Sequence, residues 1–319
     1  MNVHRKIIIT FTTCITIIGI LAGIRTIQYS TDSSIHAPIV IPTSTENKQT
    51  TDQPALTYEG SFVSTSTRTT SSAPTSVGPH ISAKAYLVGD LITGKIYIEH
   101  DAHAVLPVAS MSKLITAIAI TDNVASSTRI TIQPDNTNVA TDTSMIGAGE
   151  TFTVHELLYP LLLNSSNIVA EALASSTDRN AFLELMKGYA WEVGASTAFF
   201  ADPSGLNPLN SASAYDMFAL AQYLYNSRPD ILAITRIAST TIATTTDHGS
   251  HDFVSTHPFV LDPRFIGGKT GRTLEAHETM MTLLNIDSHP IAFIVLASDY
   301  GARARDTHIL IDKVMSLIH

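Results

Sequence analysis

Three short clusters in this chain hold the side chains that an acyl-transfer reaction needs. Ser110 and Lys113 stand in Ala109-Ser110-Met111-Ser112-Lys113, at the head of an apolar run to Ile120. A serine hydroxyl is a weak nucleophile until a neighbouring base takes its proton. Residues three apart on a helix share a face, so the Lys113 amine can reach the Ser110 hydroxyl. Lysine is a base only when neutral, and burial or a neighbouring cation favours that state. The second cluster, Asn164-Ser165-Ser166-Asn167, interrupts a helical pattern with hydroxyls and carboxamides, and the third, Lys269-Thr270-Gly271, lies in a β-prone segment. Lys269 would be such a cation only where the fold brings it beside Lys113. Each cluster also has a plain structural explanation. Ser110 suits a helix cap with Lys113 reaching outward, Ser165 and Asn167 suit a polar helix break, and Thr270 suits an ordinary strand. Arg272 fits either a carboxylate clamp or an exposed strand charge.

The elements that must position these groups follow from periodicity and end signals. Pro107 and Asn123 bracket a short helix, apolar all round and therefore expected to be buried. Ser110 then sits at a helix N-terminus, where backbone N–H groups favour developing negative charge. Residues 85–88 and 96–98 form a predicted hairpin across Thr93-Gly94. Residues 124–152 read as loop-rich, with turns at Gly147 and Gly149. Thr153 and Glu156 make a capping box for a helix over 154–163, and the helical pattern resumes at 168–174. Further helices are expected at 181–192 and 214–225, a strand at 265–271, a hairpin from 279–286 and 291–297, and a closing amphipathic helix at 306–318. Strands at both ends of a helical middle predict an antiparallel sheet completed by the two ends of the domain, with a helical insertion.

Composition narrows the partners. The 319 residues carry a formal net charge of −9 without a Lys/Arg cluster, which argues against a nucleic-acid partner. A hydrophobic share of 44% with 15% charged residues suits a globular domain plus a membrane segment and polar filler. Cys14 is the single cysteine, so no intrachain disulfide can form. His4, Arg5 and Lys6 precede an apolar run over 7–24, long enough to cross a bilayer and oriented with the remainder outside the cytoplasm. No convincing small-x-small cleavage site follows it, so 1–25 is expected to be an uncleaved membrane anchor, with a cleaved signal peptide as the alternative. Residues 26–79, rich in Ser, Thr and Pro, are expected to form a disordered tether with a reach of about 40 Å. The folded domain is expected over 80–319. His248, His251 and His257 match no zinc spacing and read as solvated loop residues, so no metal or other cofactor is expected. Trp191 reads as a helix core residue.

The three clusters, in this order on a helix start, an interhelix loop and a strand, resemble the motif set of serine β-lactamases and penicillin-binding proteins. From about Ala83 to Ile318 the chain resembles the low-molecular-mass penicillin-binding proteins of the D-alanyl-D-alanine carboxypeptidase family. Asp90 with Thr93-Gly94 matches that family's first hairpin, and Pro107-Val108-Ala109-Ser110-Met111-Ser112-Lys113 its nucleophile segment. Asp202-Pro203-Ser204-Gly205-Leu206, then Ser213-Ala214-Tyr215-Asp216, resembles its central loop and following helix. The resemblance implies an α/β (α+β) fold: a three-layer sandwich of helices on an antiparallel sheet, with an all-helical subdomain and the active site between them.

Ser110 is then the expected nucleophile and Lys113 the general base. By resemblance, Ser165 relays the proton, Asn167 holds the substrate amide, and Lys269 with Thr270, Gly271 and Arg272 binds the substrate carboxylate end. The N–H groups of Ser110 and Arg272 would form the oxyanion hole. The implied activity is a D-Ala-D-Ala carboxypeptidase acting on peptidoglycan stem peptides and acylated by β-lactam antibiotics. Three departures bear on substrate preference: Ile168 follows Asn167 where Asp is frequent, Ser255-Thr256-His257 replaces Asn-x-Asn, and Ala276-His277 stands where Ala-Gly often follows the strand. The alternatives are a D,D-endopeptidase, a β-lactamase and a non-catalytic penicillin-binding sensor. Against the β-lactamase, no Glu-x-x-Leu-Asn pattern follows Asn167.

Overall fold

Strand β11 (His289–Ser298) lies at the centre of the domain in the computed structural model, which describes residues 80–318. Its side chains alternate between two cores. Ile291, Phe293 and Val295 face one, while Ala292, Ile294 and Leu296 face the other. Both faces are covered, so the strand is apolar throughout instead of alternating with polar residues. In chain order the elements before it are β1 (Ala85–Asp90), β2 (Ile96–His100), β3 (Leu106–Pro107), α1 (Lys113–Asn123), β4 (Arg129–Thr131) and β5 (Thr151–Thr153). Then come α2 (Val154–Leu162), α3 (Asn167–Ser175), α4 (Arg179–Glu192), β6 (Ser211–Ala212), α5 (Ala214–Ser227) and α6 (Pro229–Thr235). The chain continues through β7 (Ser239–Ile242), β8 (His251–Val254), β9 (Phe265–Thr273), β10 (His277–Ile286) and β11, and closes with α7 (Arg303–Ile318).

The main sheet is antiparallel in the order β2–β1–β11–β10–β9. Helix α7 covers one face, packing on β11, β10 and β2, and α5 and α6 cover the other. This is the expected three-layer sandwich. Helix α1 is surrounded by α2, α3 and α4, which form the helical part inserted between the two strand groups. The capping box of α2 is present: Glu156 N donates to Thr153 Oγ1 at 3.2 Å, and Thr153 N donates to Glu156 Oε2 at 2.7 Å. Asp306 in the first turn of α7 is fully buried and accepts from Ser82 Oγ at 2.6 Å and Ala83 N at 3.0 Å. That carboxylate fastens the start of the domain to its last helix, and α7 begins earlier than its apolar periodicity predicts.

Several expectations need correction. Residues 124–152 include β4 and most of β5, and the pairs β3–β6 and β7–β8 were not predicted. Pairs of two to four residues are too short to display a period. Trp191 is not a core residue; it is 73% exposed on α4. Nor are the three histidines solvated loop residues. His248 is buried and stacks on Phe152 with ring centroids 4.2 Å apart. His251 lies on β8 and donates to Glu150 Oε1 at 2.7 Å. His257 is buried, donates from Nε2 to Met281 O at 3.0 Å, and accepts from Phe259 N at 3.2 Å. Burial holds it neutral, with its pKa lowered to about 3. An imidazole with both nitrogens paired buries without an orphaned polar atom.

The expected anchor over 1–25 and tether over 26–79 lie outside the described residues. Among the described residues, no helix is long and apolar enough to cross a membrane.

Candidate active site

A single 3₁₀ turn, Ala109–Ser112, delivers the nucleophile segment to α1 and packs on β9 and β10. Two glycines make room for it. A Cβ on Gly271 would lie 2.7 Å from Val108 O and 3.1 Å from Ala109 Cβ. A Cβ on Gly205, whose φ is +86°, would lie 2.1 Å from Ala109 O. The turn is therefore wedged between the backbones of β9 and of the loop after Asp202. Thr279 Oγ1 donates to Val108 O at 3.0 Å, and Asn210 Nδ2 donates to Ser112 Oγ at 3.0 Å, pinning the turn from either side.

The wedge buries Lys113 completely. Its Nζ lies 3.0 Å from Ser110 Oγ, 2.7 Å from Asn167 Oδ1 and 2.5 Å from Ser204 O. Two of these partners only accept, whereas the serine hydroxyl can donate. A neutral amine has two N–H groups and one lone pair, so it satisfies both acceptors and points its lone pair at the Ser110 proton. Burial lowers the Lys113 pKa to about 7, against the opposing pull of Asp202, Asp142 and Glu171. Lys269 is also buried, and its Nζ donates to Thr270 O at 3.1 Å. Burial first, then the positive charges of Lys113 and Arg303, hold its pKa well below that of a free lysine. Burial is the largest cause for both lysines, and like charges on the two favour a neutral member of the pair.

The lysine acceptor at Ser204 depends on a carboxylate that the sequence did not mark as functional. Asp202 Oδ1 accepts from Ser204 N at 2.6 Å, Ser204 Oγ at 2.9 Å and Gly205 N at 2.6 Å, and Oδ2 accepts from Asn207 N. These bonds curl the loop so that the Ser204 carbonyl turns to Lys113.

Above the lysines opens a cavity of about 750 Å³. Ser110, Ser165, Asn167, Thr270, Gly271 and Arg272 line it, while Lys113 and Lys269 lie behind its wall. Ser165 has a left-handed backbone, φ 63°, and its buried Oγ has no hydrogen-bond partner. Asn167 donates from Nδ2 to Ala140 O at 3.1 Å, which orients its Oδ1 towards Lys113 and leaves one N–H for a ligand. The Arg272 side chain is exposed at the rim. Sequence reasoning did not assign Arg303 or Thr256, which both line the cavity, to the site. Arg303, in the first turn of α7, donates to Gly271 O at 3.0 Å, and the Thr256 hydroxyl lies 2.9 Å from that of Thr270. No local spacing ties either to β9, although Ser255-Thr256-His257 did stand out as a departure. Among the described residues, no three His, Cys, Asp or Glu side chains are placed to hold a metal.

Residues 68–299 match the peptidase S11 family, the D-alanyl-D-alanine carboxypeptidases. The chain belongs to this family. Within it, the chain is 30% identical over 164 residues to a D-alanyl-D-alanine endopeptidase of Haemophilus influenzae. That match covers 50% of this chain and 56% of the relative, little more than half its length. It is 26% identical over 215 residues to the D-alanyl-D-alanine carboxypeptidase DacB2 of Mycobacterium tuberculosis, covering 66% of this chain and 72% of that protein. Among solved structures, a D-alanyl-D-alanine carboxypeptidase from Mycobacterium tuberculosis superposes with a TM-score of 0.69 at 22% identity, covering 75% of this chain and 92% of that one. The Streptomyces K15 DD-transpeptidase gives 0.68 at 24% identity, covering 74% and 97%. At that identity the likeness establishes the fold, and the family match establishes membership of peptidase family S11.

Proposed function

We propose that this peptidase cleaves the terminal D-Ala-D-Ala bond of peptidoglycan stem peptides through an ester on Ser110. The observation that carries this reading is the buried Lys113 amine 3.0 Å from the Ser110 hydroxyl. Ser110 Oγ attacks the carbonyl of the penultimate D-alanine as its proton passes to Lys113 Nζ. The backbone N–H groups of Ser110 and Arg272 receive the oxyanion. The unpartnered Ser165 hydroxyl carries the proton onward to the leaving amine, the C–N bond breaks, and terminal D-alanine departs. Water then attacks the ester, with Lys113 again taking the proton, and releases the shortened peptide and Ser110. Thr270 and Arg303 flank the place suited to the terminal carboxylate, with Lys269 buried behind it, and the free N–H of Asn167 suits the substrate amide. β-Lactams carry a carboxylate and a reactive amide of the same shape, so they acylate the same serine. In this reading residues 7–24 hold the protein in the membrane, and the tether carries the domain on the extracytoplasmic side.

Mass analysis of the full-length protein incubated with a pentapeptide stem, and separately with penicillin, tests this. The expected results are loss of one D-alanine from the peptide and a long-lived penicillin adduct on Ser110. An adduct on another residue refutes the assignment. Rapid release of hydrolysed penicillin favours a β-lactamase, and an adduct without peptide turnover favours a sensor. Because the Haemophilus influenzae relative is an endopeptidase, a cross-linked peptide belongs in the same assay. Faster cleavage of the cross-link than of the pentapeptide replaces carboxypeptidase with endopeptidase.

A further inference from the structure

We propose that Asp142 is a positioning residue, whose carboxylate fixes the Ser165–Asn167 corner and, through Asn167, the orientation of the Lys113 amine. This rests on the Ser110–Lys113 reading above and adds a residue that no motif in the sequence marks.

The corner needs an external brace. Ser165 is in the left-handed region, φ 63°, which a residue bearing a Cβ adopts only when its surroundings impose it. Ile168, directly after Asn167, has an apolar side chain, so the corner carries no carboxylate of its own at that place. The brace comes from 26 residues earlier in the chain. Asp142 Oδ2 accepts from Ser166 Oγ and from Ile168 N, each at 2.8 Å. Asp142 Oδ1 accepts from Ser144 N at 2.8 Å and Ser144 Oγ at 2.6 Å, which fixes the carboxylate itself. Two residues away, Ala140 O accepts from Asn167 Nδ2 at 3.1 Å. One loop thus grips the residues on both sides of Asn167 and sets which way its carboxamide faces. With Nδ2 committed to Ala140, Oδ1 is left for Lys113 at 2.7 Å.

The same loop is a wall of the cavity. Thr141 and Thr143 line it, and Asp142 between them bonds to the catalytic corner. A carboxylate is required here because both of its oxygens accept from backbone N–H groups, Ile168 on one and Ser144 on the other. An asparagine would turn an NH₂ group onto one of those N–H donors. Hydrogen bonding to the charged form keeps Asp142 ionised, even though burial alone would raise its pKa.

The test compares the full-length wild type with D142N and D142E, measuring the second-order rate of acylation by a fluorescent penicillin between pH 5 and 10. Thermal melts report folding. The groups acting on the Lys113 proton are Asp142 on this loop, Asp202 on the loop after α4, Glu171 on α3 and Lys269 on β9. Removing the Asp142 charge is expected to slow acylation by roughly ten- to hundredfold, since displacement of a catalytic group by about 1 Å costs that much. It is also expected to move the acid limb of the profile to lower pH. D142E, which keeps the charge, is expected to return that limb to the wild-type position and recover part of the rate. A folded D142N with the wild-type rate overturns the proposal. So does a slow D142N whose limb has not moved, because that is mere structural damage. Should D142N not fold, S144A decides: acylation several-fold slower supports the brace, and a wild-type rate overturns it. Wild-type protein that takes no label overturns the Ser110–Lys113 reading and this one with it. Labelled wild type with an unaffected D142N overturns this one alone.

Discussion

The charge state of Lys113 gives the sharpest test of the mechanism. With its pKa lowered to about 7, a substantial share of the Lys113 amines is neutral near pH 7. A free lysine at 10.5 would offer about one neutral amine in three thousand at that pH. The rate of Ser110 acylation by penicillin should therefore rise with pH through an acid limb near 7 and level off above it. The limb belongs to the lysine pair, because two coupled amines titrate in shared steps. Replacing Lys113 with Arg removes the base altogether. Counting neutral side chains alone, a group with a pKa above 12 would slow the reaction by about 10⁵-fold. General-base catalysis by one residue is worth about 10²–10⁴-fold, however, and the residual uncatalysed route limits the loss to that range. Lys269→Arg behaves differently. Arginine places a permanent positive charge where the buried lysine readily gives up its proton. That charge makes Lys113 easier to neutralise, so acylation should survive at a reduced rate with its acid limb moved to lower pH. Both variants should be checked for folding by circular dichroism and followed with a fluorescent penicillin from pH 5 to 10. If Lys113→Arg acylates as fast as Lys269→Arg, the base is another residue. If the wild-type limb lies below about 5 or above about 9, burial does not set the Lys113 charge.

Two further outcomes follow from the packing of the nucleophile turn. Gly271→Ala would place its methyl group 2.5 Å from Thr279 Oγ1 and 2.7 Å from the Val108 carbonyl, and should cost about 1–3 kcal/mol of stability while slowing acylation; a variant with wild-type melting and wild-type acylation contradicts the close approach. Asp202→Ala leaves the N–H groups of Ser204, Gly205 and Asn207 without their acceptor, at about 1–3 kcal/mol for each one left unsatisfied, and frees the Ser204 carbonyl from Lys113; thermal unfolding and the acylation rate should fall together, and a fall in stability alone would show that the loop does not serve the lysine.

What could be read from the chain, and what could not, divides along the distance between partners. Ser110 and Lys113 are one turn apart, so their spacing alone brings hydroxyl and amine together. The main strands were legible because long apolar runs leave few alternatives, and α2 because its capping box is a local signature. The period of α4 even held the answer for Trp191. Phe182, Met186 and Ala190 recur at helical spacing and face the core, which turns the next residue outward. Asp142 and Arg303 were not legible as parts of the site, since each acts on a residue that only the fold brings near; Asp202 bonds locally, but only the fold turns the Ser204 carbonyl it positions towards Lys113. His257 was misread because a polar side chain counts as solvated until its partners are known. Nor could the loss of charge at the two lysines be inferred from composition, because burial, unlike charge, is a property of the assembled structure. Yet the residues that create the burial are in the sequence. Gly205 and Gly271 have no side chains, and that lets two backbones close on the Ser110 turn until Lys113 has no water left to solvate its charge. In the proposed mechanism the Lys113 amine is made easier to neutralise by two residues that transfer no proton, and substitutions at either should appear in the pH profile of acylation as well as in its rate.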